Sequence, residues 1–417
     1  MNARPKKVRD PIPHLDSIER ASHTVRVMIF WNPDISYFAR TNFRAHGKVF
    51  GMFQKDRLMH TYILGKTGTG KTNLLTTLIL QDIINERGCA VFDVHGDLLK
   101  NVLGNIPENR IADVIHLDIA NPFMEYRYNP LRKVSEEKKS LVAGGLLDAF
   151  HKLWRGAWGV KLEHILRYIL LTLLSVPKSD LSDIPRIVHD IDFRKQCIRY
   201  VENEEILRFW KSEFPKYTKN DIIPILNKVG AFLAHPAIKR FLISNPRDIS
   251  LRYCIDRSKI LLVDISKGKI GADASHLIGS ILISSFANAS FSRIDTEENK
   301  RVPFHIFLDE FQNYTSPSIS GILSELRKFK ISLTLANQYL HQLDTEIKNA
   351  VLGNVGTIIA FRTGQTDAKY LAQDFQPIFK ASDFTSLENY DIYLKLMISG
   401  RPSRPFSATT IPFGYFL

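Results

Sequence analysis

The chain has 417 residues, a formal net charge of +13 and three cysteines, Cys89, Cys197 and Cys254. That length suffices for one large α/β domain with a smaller one inserted or appended. The charge favours a polyanionic partner such as nucleic acid or an acidic membrane surface, while the odd, widely spaced cysteines, without a CxxC or HExxH pattern, argue against a disulfide framework or a zinc module.

Residues 1–22, basic and carrying Pro5, Pro11 and Pro13, read as a flexible leader rather than an apolar signal core. Val25 to Phe30 is predicted as a first strand, and Gly47 to Phe53 leads to Asp56-Arg57-Leu58-Met59-His60. The next apolar run, His60 to Leu64, reads as a short buried strand. Gly65-Lys66-Thr67-Gly68-Thr69-Gly70-Lys71-Thr72 then fits the phosphate-loop pattern GxxxxGK[ST]. Glycines let successive backbone N–H groups face a triphosphate, because no Cβ blocks the approach. Lys71 can reach the β and γ phosphates, and the Thr72 hydroxyl suits a Mg²⁺ shell. Beyond Thr72, Leu74/Leu75, Leu78/Ile79 and Ile83/Ile84 recur at helical spacing, so strand, loop and helix follow in the required order.

Gly88 ends that helix, and Cys89 to Phe92 is a second buried strand finishing at Asp93. His95, Gly96 and Asp97 follow at its carboxyl end, where ligands of open α/β sheets gather; a plain turn with Asp97 as a helix N-cap explains the same residues. Asp113 to Leu117 is a third strand. From about Leu131 to Arg252 the short buried strands give way to amphipathic stretches: Ser140 to Leu153, Leu162 to Leu174, Phe193 to Val201, Glu204 to Glu213 and Ile222 to Leu233. This predicts a helical insertion in which Trp154, Trp158 and Trp210 are core anchors. No uninterrupted apolar run approaches the roughly 18 residues of a membrane span. The longest, Ile165 to Leu174, is broken by Arg167 and Thr172.

The α/β pattern resumes at Lys259 to Asp264, followed by a turn at Lys267 to Lys269 and a helix over Ala274 to Phe291. Phe304 to Leu308 is a strand ending in the adjacent carboxylates Asp309 and Glu310. Such a pair suits an ATPase: Asp309 orders the Mg²⁺ shell while Glu310 polarises the attacking water. Ile319 to Phe329 is predicted as a helix with Arg327 at its margin. Ile331 to Ala336 is a strand ending in Asn337-Gln338, a polar tip suited to sensing a γ-phosphate. Arg327 serves either as an arginine finger or as an ordinary surface ion-pair partner. Gly356 to Phe361, ending in Arg362, then Asp391 to Met397 and Pro405 to Ile411, complete the sheet.

These pieces together resemble the HerA/FtsK superfamily of RecA-like P-loop motors and, within it, the TraD/TraG-type conjugative DNA-transfer ATPases. The resemblance covers nearly the whole chain. It is carried by Asp56-Arg57 to His60, Gly65 to Thr72, Asp93 to Leu98, Trp158 to Glu163, Asp309-Glu310-Phe311-Gln312-Asn313, Ala336 to Tyr339, Gly353 to Gly356 and Arg401 to Phe406. It implies an α/β fold: a RecA-like P-loop core with a mainly parallel central sheet and an inserted all-α domain, divided as leader 1–22, core 23–134, insertion 135–254 and core 255–417. It also implies a homo-hexameric ring that binds ATP and Mg²⁺. Gly65 to Thr72 and Asp309 would hold the nucleotide, with Thr72 and Asp309 toward the metal. Glu310 would be the catalytic acid, Gln338 the γ-phosphate sensor and Arg327 the finger acting on a neighbouring subunit, with Arg362 as the second choice. DNA would occupy a central channel, and the insertion would cap the ring or select substrate. Members of this type usually carry N-terminal transmembrane helices, which this sequence does not show. The expectation is therefore a cytoplasmic DNA translocase, peripheral to the inner membrane only through a secretion-channel or relaxase partner. A secretion or assembly ATPase acting on protein subunits, and a nucleotide-dependent scaffold, are the rival readings.

Overall fold

The computed structural model describes residues 32–416, apart from 44–46, 133, 155, 157, 244–246 and 316–318. The leader and the strand predicted at Val25 to Phe30 lie outside the described residues. The rest is built on an eleven-stranded sheet. Its strands in chain order are β1 (Ile35–Thr41), β2 (Val49–Phe53), β3 (Thr61–Leu64), β4 (Gly88–Asp93), β5 (Val114–Asp118), β6 (Ile260–Asp264), β7 (Phe304–Leu308), β8 (Ile331–Asn337), β9 (Thr357–Ala360), β10 (Asp391–Lys395) and β13 (Phe406–Thr410). A separate two-stranded ribbon pairs β11 (Met397–Ile398) with β12 (Arg401–Pro402). The order across the large sheet is β2-β1-β13-β10-β9-β3-β8-β7-β4-β6-β5.

From β9 to β5 every pairing is parallel. Strands β4, β6, β7 and β8 are buried along their whole length and are mostly apolar, with His305, Ser332, Thr334 and Asn337 buried among the apolar residues of β7 and β8. The other flank is antiparallel, and β10 alternates buried with half-exposed residues. β1, whose sequence Ile-Ser-Tyr-Phe-Ala-Arg-Thr reads as a polar stretch, is a strand because its partners β2 and β13 supply the register.

Between β5 and β6 the described residues form helices, Glu136–Leu153 and Val160–Leu173 being the first two, together with a single bridge from Arg127 to Asp248. Trp210 is buried and donates through Nε1 to Thr172 Oγ1 (2.7 Å), while Trp154 stacks on Phe150 at 5.0 Å between centroids, as expected of core anchors. This helical segment shares one continuous apolar core with one face of the sheet. The join is helix on helix: Glu136–Leu153 lies against Ala272–Phe291, so closely that a Cβ on Gly145 would stand 1.9 Å from Ser284 Oγ.

The most apolar helix corrects the sequence reading, which picked out Ile165 to Leu174. Ala272–Phe291, continuing to Asp295, is the one described helix long and apolar enough to cross a membrane. Most of it is buried, with Phe286 packed against Phe92 and Phe304 of the sheet, so its hydropathy serves the core. The turn expected at Lys267 to Lys269 is a short helix, Lys267–Ile270, and Asp183–His189 and Pro236–Leu242 are helices without a predicted counterpart.

Several of the residue strings that carry the resemblance are architectural. Arg57 makes a bidentate ion pair with Asp82 (2.6 and 2.8 Å), and Arg87 Nε reaches the same carboxylate at 2.7 Å. The Asp56 carboxylate accepts from the N–H groups of Ser399 (2.7 Å) and Gly400 (2.9 Å) in the β11–β12 turn. Gly356 N–H donates to Met59 O, where a Cβ would stand 2.7 Å from the Met59 side chain. His60 accepts at Nδ1 from Leu333 N–H (3.0 Å) and therefore donates from Nε2 to Leu323 O (2.8 Å). Burial holds this imidazole neutral, with its pKa drawn down to about 4.

Candidate functional site

The phosphate loop joins β3 to the helix Lys71–Ile84. Gly68 and Gly70 hold φ +76° and +121°, values that L side chains rarely adopt, and these two glycines give the loop its curl. Gly65 is required for a different reason: a Cβ there would lie 2.5 Å from Phe361 Cβ. The loop is pinned on both sides, with Gly65 N–H donating to Asn337 O of β8 (3.2 Å) and Lys66 N–H to Arg362 O beyond β9 (2.9 Å). Thr69 Oγ1 closes it internally on Lys66 O (2.7 Å). The Lys71 ammonium, largely buried at the helix start, donates to Gly65 O (2.5 Å) and Lys66 O (3.1 Å). Burial lowers its pKa, and the charges of Glu310 and Asp309 oppose that shift.

Strand order brings the distant pieces together. β8 lies between β3 and β7, so all three strands end at the same edge of the sheet. Asp309 and Glu310 leave the end of β7, and Gln338 leaves the end of β8 between them and the loop. Gln338 spans the gap: its Nε2 donates to Glu310 Oε1 (2.6 Å), and its Oε1 accepts from Thr67 Oγ1 (2.9 Å). Gln312 Nε2 donates to the other carboxylate oxygen, Glu310 Oε2 (2.6 Å), while Gln312 Oε1 accepts from Asn337 Nδ2 (2.7 Å). Glu310 itself sits at φ +51°, a conformation a non-glycine residue adopts only when its surroundings impose it. Lys152, at the end of the first helix of the insertion, donates to Gln312 O (2.8 Å) and Thr315 Oγ1 (2.9 Å), fastening the helical layer to this turn.

Asp93, at the tip of β4, accepts from the N–H groups of His95 (2.8 Å), Gly96 (2.8 Å) and Leu99 (3.0 Å). It therefore shapes the turn into the helix Asp97–Leu103 and also faces the cleft; the N-cap is Gly96, so Asp97 is the first helical residue and not the cap that the simpler sequence reading expected, because the Asp93 carboxylate already takes the turn's N–H groups. The charge of Asp93 matters in the cleft. Burial, with the Glu310 and Asp93 carboxylates alongside, pushes Asp309 up to about 7. Thr67, Gly68, Gly70, Lys71, Thr72, Asp309, Glu310 and Gln338 all line one cleft of about 710 Å³.

These residues fit a Mg²⁺-nucleotide. The loop offers curled backbone and a lysine to phosphates, and Thr72 with Asp309 offers oxygen ligands to the metal. Among the described residues no group of three or more His, Cys, Asp or Glu side chains is placed to hold a metal.

The two arginines fall elsewhere. Arg327 is exposed in the turn Leu326–Phe329 just before β8, so the seven residues of that strand, roughly 23 Å at ~3.3 Å each, separate it from Gln338. Within one chain it does not reach the cleft. Its neighbour Lys328 bridges Glu325 at 3.4 Å. Arg362 lies at the loop's edge of the sheet, but its guanidinium is used internally on Leu387 O (3.1 Å) and Asn389 Oδ1 (3.0 Å). Sequence reasoning gave no individual role to Gln312, and it missed Tyr390, which lines the cleft from a loop far along the chain. A polar residue two positions after the acidic pair was the available signal for Gln312; for Tyr390 there was none.

The model of the type IV secretion-system coupling protein DNA-binding domain matches residues 44–376 of the chain. The chain belongs to this family. Solved coupling-protein structures share the fold at low identity. The plasmid coupling protein TrwB in complex with ADP and Mg²⁺ is 16% identical, with 87% of each chain covered and a TM-score of 0.62. TrwB with the non-hydrolysable GTP analogue GDPNP is 14% identical over the same coverage, also at 0.62. VirB4 of Thermoanaerobacter pseudethanolicus is 13% identical, covering 93% of this chain and 98% of that one, at 0.61. The search of curated proteins returned no match. The predicted RecA-like architecture and the coupling-protein resemblance are thus both met.

Proposed function

We propose that this coupling-family chain is an ATP-hydrolysing ring motor that moves DNA. The observation that carries the reading is the Thr67–Gln338–Glu310 hydrogen-bond chain, which ties the phosphate loop to the acidic pair across β8. Bound Mg²⁺-ATP supplies the transferable phosphoryl group and the Lewis acid. Gly65 to Thr72 bind the phosphates, Lys71 neutralises their charge, and Thr72 and Asp309 are the residues that would hold the metal. Glu310, fixed by two amides, accepts the proton of the attacking water. Gln338 touches both the loop and Glu310, so a change at the γ-phosphate position alters the hydrogen bonds of the base itself.

Arg327, remote from its own cleft, is assigned to a neighbouring subunit's site, which requires an oligomer; the resemblance makes that a homo-hexamer. The net charge of +13 and the family's DNA-binding domain support DNA as cargo, and the segment 135–254 would sit over the ring as a cap. Membrane attachment would come through a partner. The test is ATP turnover by the full chain with and without DNA at low salt, where phosphate contacts are strongest. DNA-stimulated turnover that Glu310→Gln abolishes while ATP still binds is expected. Turnover indifferent to DNA refutes the translocase reading, and a fully active Glu310→Gln refutes the assignment of the base.

A further inference from the structure

One wall of the cleft is aromatic. Tyr390 lies in the loop between the helix Ala381–Ser386 and β10, and half of its surface is exposed. Its ring stands over the glycine that begins the phosphate-loop helix: a Cβ on Gly70 would meet Tyr390 Cδ1 at 2.9 Å. The backbone is held at φ +70°, which a bulky residue does not adopt unaided. Three hydrogen bonds impose it. Tyr390 N–H donates to Thr69 O inside the phosphate loop (2.8 Å), and Tyr390 O accepts from Thr410 N–H (2.8 Å) and Thr410 Oγ1 (3.0 Å) on β13. Arg362 secures the approach to this loop at Leu387 and Asn389. The strained Tyr390 backbone is therefore fixed from two sides, which places its large, partly exposed ring beside Gly70.

We infer that Tyr390 is the nucleobase platform of this site, receiving the flat face of a purine. This deepens the ATP-site reading and rests on it. The charged groups Lys71, Asp309 and Glu310 claim the phosphate end of the cleft. Of the remaining lining residues, Tyr390, beside Gly70, is the one with an aromatic face apart from His95, and a base directed past the helix start meets it. A purine face is apolar and polarisable, and an aromatic ring is the side chain that replaces its water contacts most favourably. Because stacking depends on ring area and not on the hydrogen-bonding edge, the platform serves adenine and guanine alike.

The test is calorimetric binding of ATP, GTP and inorganic tripolyphosphate to the full chain. Tyr390→Ala removes the ring, and Tyr390→Asn does so with a residue that tolerates positive φ, so that backbone collapse does not imitate loss of stacking. Both variants are expected to bind ATP and GTP roughly tenfold more weakly while tripolyphosphate affinity stays at the wild-type value, with Tyr390→Phe retaining all three. ATP affinity unchanged in Tyr390→Asn overturns the inference. So does an equal loss for ATP and tripolyphosphate, which would mean that the ring only shapes the loop. Wild-type protein that binds neither ligand refutes the ATP-site reading itself, a result distinct from both.

Discussion

Arg57 precedes the phosphate loop in sequence, yet it is not among the residues that line the cleft. It is buried beneath the helix Lys71–Ile84, where it meets Asp82; the two side chains are 1% and 0% exposed. Asp82 accepts two hydrogen bonds from Arg57 and one from Arg87. Arg57→Met fits the same space, and its chain can rest on Phe307, whose ring lies 5.9 Å below the guanidinium. It also deletes two of the three charge-assisted contacts to a carboxylate that water cannot reach. Breaking such a pair from one side costs about 3–5 kcal/mol. Arg57→Lys keeps the charge but not the fork, and should fall between the two. The double variant Arg57→Met/Asp82→Leu removes the stranded charge. Arg87 is left, but its side chain is 13% exposed and still donates to Pro33 O (2.9 Å) and Gln81 O (3.2 Å). Urea unfolding followed by circular dichroism should therefore rank wild type, double variant and Arg57→Met in descending stability, with ATP affinity of the folded protein unchanged. A double variant less stable than Arg57→Met, or additive single effects, would refute the buried-charge argument.

Gln312→Ala frees one oxygen of Glu310 and the Asn337 amide, so kcat should fall about tenfold with little change in ATP affinity, measured by steady-state turnover and calorimetry. His60 titrates at about 4 instead of 6.5, so the unfolded chain binds its proton first as pH falls. Its contribution is complete above pH 6.5 and is lost down to about pH 4, a total near 3 kcal/mol at 1.36 kcal/mol per pH unit. Unfolding free energy should accordingly fall more steeply between pH 6.5 and 4 in wild type than in His60→Asn; parallel pH profiles would count against it. Arg327→Ala should bind ATP and assemble but hydrolyse poorly, and mixing it with Lys71→Ala should restore part of the activity. Absence of rescue in verified mixed rings argues against a role across the interface.

Local chemistry was legible from residues alone wherever a few neighbours in sequence do the work. Gly65 to Thr72 required only glycines, a lysine and a hydroxyl at fixed spacing, and the buried parallel strands announced themselves because most of their residues, on both faces, are apolar. Asp309 and Glu310 could be named for the same reason, as carboxylates at the end of such a strand. β1 could not, since an antiparallel strand of mixed polarity is defined by its partners. The helix Ala272–Phe291 was recognised as a helix, but its standing as the most apolar one is explained only by the sheet it covers. Only the tertiary structure decided that β8 separates β3 from β7, which puts Gln338 between the loop and Glu310, leaves Arg327 at the opposite edge and brings Tyr390 over Gly70. Contacts between residues hundreds of positions apart depend on strand order and on the loops that close the fold, and no window of sequence carries that information.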